Sequence, residues 1–246
     1  MSMGASSIAS EAARVSGAAN RNVIILLLAQ AVVGAQLPMI TVLAGLAGQS
    51  LAADARWATL PLAIQGVGAM TSSLWLSRVM QKFGRRAGFL IGVLAGGTGA
   101  AICGYGLVLG SFPVFVCGAY FTGIYQAAHG FYRFAAMDAV GPGQKAKAMS
   151  FVLAGGLIAA VLGTQFTKMT ADLWVVPFLG TYVLGIFINI SGVALFAFLR
   201  IPRPVAIPSQ GRGRGYMQLL ADPEIRSAII CASTAYGVML LVMSST

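Results

Sequence analysis

Seven long apolar stretches run along this chain, separated by short polar or basic segments. They predict helices at roughly 23–46, 57–79, 87–109, 114–140, 148–167, 174–199 and 225–246. Each run is close to the ~20 residues that cross a hydrocarbon core. The densest polar segment reads S-R-V-M-Q-K-F-G-R-R at 77–86, with four basic residues, Arg78, Lys82, Arg85 and Arg86. Charge at that density cannot sit in hydrocarbon, so the segment reads as a loop at one membrane face. The layout is a cytoplasmic tail at 1–21, a six-helix bundle at 22–199, a basic cytoplasmic linker at 200–222 and a seventh helix at 223–246.

Charge gives this pattern a direction. Of the 16 Lys and Arg, Arg56 and Lys168 fall on one side, Arg133 lies within a helix, and the remainder fall on the other side. Basic residues in short loops stay cytoplasmic, so the bias places the N-terminus inside. The net charge of +10 is therefore a topology signal and implies no nucleic-acid partner. Residues are 58% hydrophobic and 9% charged, against ~25% charged in soluble domains. The lipid bilayer is the expected partner. The first apolar run is too long for a cleavable signal peptide.

Gly is abundant at 31 residues, and Gly92/Gly96 and Gly106/Gly110 have the spacing of close helix packing. Cys103, Cys117 and Cys231 lie in apolar runs without metal-ligand or disulfide spacing. No nucleophile–base pairing, phosphate loop or metal triad indicates an enzyme, and no cofactor is expected. The fourth run carries the costly groups. Gln126, His129, Gly130 and Arg133 fall at i, i+3, i+4 and i+7, on one helical face. An Arg inside a membrane helix needs a polar cavity or a route to the surface. Gln126, His129, Arg133 and Asp138 are thus the candidate cavity residues, with packing for His129 and snorkelling for Arg133 as the plainer alternatives.

The segment at 77–86 resembles the signature between helices two and three of the major facilitator superfamily, G-x-x-x-D-[RK]-x-G-x-[RK]-[RK]. Lys82, Gly84 and Arg86 match; Ser77, Gln81 and Ala87 stand where the family has Gly, Asp and a basic residue. The resemblance implies an all-α, polytopic transmembrane helix bundle. Its six N-terminal helices form 3+3 inverted repeats, and helix seven belongs to a missing second half. It also implies alternating access in a bacterial cytoplasmic membrane. Arg78, Gln81, Lys82, Gly84, Arg85 and Arg86 would form the gating segment, with Asp138 able to supply the charge that Gln81 lacks. The fifth run has Gly155-Gly156 and no Pro, which disfavours multidrug efflux.

R-F-A-A-M-D at 133–138, with Met239 and Met243 in the last run, resembles a bacterial facilitator subfamily that imports copper for cytochrome oxidase assembly. That resemblance implies Cu(I) as cargo, with Met239 and Met243 as its thioether ligands. The alternatives are transport of a small organic solute or drug, or a membrane scaffold or sensor. The apolar end of the chain reads as a truncation, with the C-terminal half of the same transporter as a further expected partner.

Overall fold

The computed structural model describes residues 19–171, 173–199, 201 and 221–244, with 55, 236, 237 and 239–244 described by backbone alone. The chain divides into two units, Met1–Pro204 and Val205–Thr246. All regular structure among the described residues is helical. In the first unit α1 is Ala19–Leu51, α2 Leu60–Phe83, α3 Arg85–Val108, α4 Phe112–Gly130, α5 Tyr132–Asp138, α6 Lys145–Thr170 and α7 Leu179–Ala197. In the second, α8 is Pro223–Ser244. Four helical stretches among the described residues are long and apolar enough to cross a membrane: α1, α3, α7, and α6 with the turn before it, Pro142–Thr170.

Local chemistry sets where the helices start and stop. Pro61 and Pro113 occupy the first turns of α2 and α4, where their missing N–H costs nothing and their fixed φ suits a helix. Gly110 ends α3 at φ +63°, and the Ser111 N–H bonds back to the Gly106 carbonyl at 2.9 Å. This is the left-handed cap that favours glycine. In the second unit Asp222 precedes Pro223, and its Oδ1 accepts the Glu224 N–H at 3.2 Å. That bond satisfies one orphan donor of α8.

Two expectations change here. The basic segment at 77–86 is not a loop: α2 runs on to Phe83 and α3 begins at Arg85, leaving Gly84 alone between them. Gly84 has φ 92° and ψ 162°, a conformation closed to other residues without strain. The straight-chain residues Met80, Gln81 and Lys82 keep the helix going up to it. The fourth run is also not one helix. It is interrupted at Phe131, whose N–H reaches back three residues to Ala128.

The helices approach closely because glycine lines the contacts. α3 packs along α4 and α7, and α4 also packs on α2. A Cβ on Gly99 would lie 2.8 Å from the Thr122 backbone nitrogen and 2.9 Å from the Gly118 carbonyl. Gly92, Gly96 and Gly106 of the expected small-residue pairs face neighbouring helices, whereas a Cβ on Gly110 would meet nothing and its role is the turn. α6 rests on α1 through the buried stripe Ala148, Val152, Gly155, Ala159 and Gly163. Toward the Arg85 end, Phe89, Tyr132 and Phe196 stack at 4.9 to 5.3 Å between centroids, joining α3, α5 and α7. Gly99→Ala is expected to destabilise the complete protein by roughly 1–3 kcal/mol through overpacking, read as a lower Tm in detergent.

Candidate functional site

α1 is interrupted where it is most deeply packed. Residues Ala29–Val33 form a π-helical turn, after which the Gly34 N–H bonds the Ala29 carbonyl at 3.0 Å. The Leu37 N–H bonds the Gly34 carbonyl rather than that of Val33, and Pro38, next in line, has no N–H to give. The Val33 carbonyl therefore has no backbone donor from its usual partner. Tyr125 of α4, fully buried, donates its hydroxyl to that carbonyl. Away from water, an unpaired carbonyl is costly, so this side chain completes the ladder of another helix.

His129 lies one turn further along α4. Its ring packs against Tyr132 at 4.9 Å and Tyr125 at 6.2 Å between centroids. Its Nε2 is buried without a hydrogen-bond partner and faces Gly34, where a Cβ would lie 2.8 Å from it. Gln126, half-buried on the preceding turn, shares α4 with His129. Gln30 of the π turn is buried, with its Nε2 3.4 Å from the point a Gly156 Cβ would occupy. The interrupted α1 thus meets α4 at an imidazole with spare hydrogen-bonding capacity and α6 at a carboxamide.

The other expected residues stand elsewhere. Arg133 lies beyond the break at Phe131, is exposed, and places its guanidinium 5.0 Å from the centroid of the Phe134 ring. Asp138 stands apart from Gln126 and His129 and pairs with Arg85. Arg85 Nη2 lies 2.8 Å from Asp138 Oδ2, and Nε donates to the same oxygen at 2.9 Å. The pair borders a cavity of about 390 Å³ that Ser77, Met80, Gln81 and Phe134 also line. Lys82 sits over Phe83 at 5.4 Å, Arg78 and Arg86 are exposed, and Gly84 is buried between the helices. Met239 and Met243 lie on the backbone of α8, and their side chains fall outside the described residues. Among the described residues no group of three or more His, Cys, Asp or Glu could hold a metal ion.

Sequence reasoning did not single out Gln30, Gln36, Tyr125 or Asn189. Pro38 inside an apolar run was the available signal, since a helix-interior proline withdraws one donor.

Over 235 residues the chain is 33% identical to the riboflavin transporter RfnT of Brucella anthropi, a match covering 93% of this chain and 58% of that protein. Its relatives are named as transporters. Two Bacillus subtilis proteins named as uncharacterized MFS-type transporters also match: YdeG at 28% identity (83% of this chain, 50% of that protein) and YddS at 29% (74% and 43%). The chain spans about half the length of these curated relatives. No protein-family model and no solved structure matches it. With its apolar helices, this likeness makes the chain a multi-pass membrane protein.

Tyr125→Phe removes the side-chain donor to the Val33 carbonyl. A loss of about 1–3 kcal/mol is expected for leaving that acceptor unpaired, measured as a fall in Tm with membrane insertion retained.

Proposed function

We propose that this chain carries the first helical bundle of a secondary transporter of the major facilitator type, and that its cargo is a small organic solute. A flat, polar heteroaromatic of the riboflavin kind is the first to test. The observation that carries the reading is the 33% identity to RfnT across 93% of the chain. The site chemistry is compatible with it. An imidazole nitrogen without a hydrogen-bond partner can bond a polar ring edge.

Alternating access rocks one bundle against another around a midplane site, and interrupted helices commonly line such sites. In this reading α1 is the moving wall, Gln30, Gln126 and His129 face the solute, and the Arg85–Asp138 pair braces the closed arrangement at its end of the bundle. A partner bundle completes the pathway. These relatives lend no support to uptake of Cu(I) through Met239 and Met243, since RfnT is named for riboflavin.

Cells producing the complete protein are expected to accumulate riboflavin above background. His129→Phe keeps the aromatic packing and deletes the nitrogen. Uptake should fall about tenfold, the value of one hydrogen bond at a desolvated site, at unchanged protein level. Met239→Leu with Met243→Leu should leave riboflavin uptake intact. Absence of riboflavin uptake, with copper accumulation that the Met changes abolish, would overturn this reading in favour of Cu(I).

A further inference from the structure

Far from His129 in sequence, α1 and α7 share a second polar contact that the transport reading does not use. Gln36 and Asn189 are 1% and 3% exposed. Asn189 Nδ2 donates to Gln36 Oε1 and to the Gly185 carbonyl, each at 2.7 Å. This leaves Gln36 Nε2 buried with no acceptor. Amides this deep in an apolar bundle are normally satisfied, so Gln36 Nε2 calls for an acceptor.

The space beside Nε2 has the dimensions of one. Nε2 lies 3.6 Å from where a Gly185 Cβ would be, and Gln36 and Gly185 line a cavity with Ala100, Thr181 and Tyr182. Its room, about 10 Å³, is near the lower limit for holding a single water.

The hydroxyl protons show what such a molecule would join. Thr170 Oγ1 donates to the Phe166 carbonyl at 2.6 Å, which commits its one proton. The 2.8 Å contact between Thr170 and Thr181 hydroxyls must then be donated by Thr181, leaving the lone pairs of Thr181 Oγ1 free to accept. We infer that the cavity between α1, α3 and α7 is a binding site for one ordered water, which accepts from Gln36 Nε2 and donates to Thr181 Oγ1. The result is a single-direction chain: Gln36 of α1, water, Thr181 of α7, Thr170 of α6, and finally the Phe166 carbonyl. It ties α1, at the turn just before Pro38, to two other helices through neutral groups alone, and it stands whatever solute the protein carries.

The test uses the complete protein. A structure at a resolution that shows waters is expected to place one within hydrogen-bonding distance of Gln36 Nε2 and Thr181 Oγ1. Thermal unfolding of Gln36→Met, Thr181→Val and the double variant should be non-additive, the double falling no further than the worse single, because either change empties the same bridge. Thr181→Ser retains the acceptor and should unfold close to wild type. If Gln36→Met does not fold, Thr181→Val against Thr181→Ser decides, the water being lost in the first and kept in the second. A dry cavity, or additive shifts in Tm, overturns the inference.

Discussion

The hydroxyl of Tyr125 on the carbonyl of Val33 is the bond on which the arrangement of this bundle turns. A helix in hydrocarbon must satisfy every backbone group from within or from a neighbour. Pro38 and the π turn withdraw that satisfaction from α1, and a side chain of α4 restores it. The interruption is therefore tolerated only in register with Tyr125. That register also brings Gly34 over His129 and sets Gln30 against the glycine pair of α6. One missing N–H explains why the polar groups gather where they do.

Around this point glycine does the work that large side chains do in soluble cores. Association between helices in lipid gains little from burial, so close approach and specific polar bonds must supply it. The α3–α4 contact at Gly99 and Gly118 and the α1–α6 contact at Gly155 and Gly163 bring backbones nearly into touch. Bulk is concentrated instead in the Phe89, Tyr132 and Phe196 cluster, which wedges α5 against the bundle and leaves Arg133 facing outward beyond the break.

The helical architecture was legible because its signal is local: apolar runs long enough to span, punctuated by Pro, Gly and basic residues. The run at 77–86 nevertheless looked like a loop, because its charges hid good helix formers. The contacts that build the site were not legible. Gln36 and Asn189 lie 153 residues apart, and no periodicity announces that one amide meets the other. The stripe from Gln126 to Arg133 assumed an unbroken helix; Phe131 interrupts it and separates the half-buried His129 from the exposed guanidinium. Asp138, grouped with His129 by its run and with the basic segment by the family resemblance, pairs with Arg85 of that segment.

That ion pair has a consequence for α3 itself. The helix opens with Arg85 and Arg86, has no acidic residue in its first turn and no side-chain cap. Two cations thus stand at the positive end of its own dipole, an arrangement that helices ordinarily avoid. Asp138, borrowed from the last residue of α5, supplies the anion that the sequence of α3 omits. The beginning of α3 is therefore electrostatically comfortable only while α5 is docked. Whatever draws α5 away leaves α3 with an uncompensated head, so the two ends are coupled as a charge and its absent counterion.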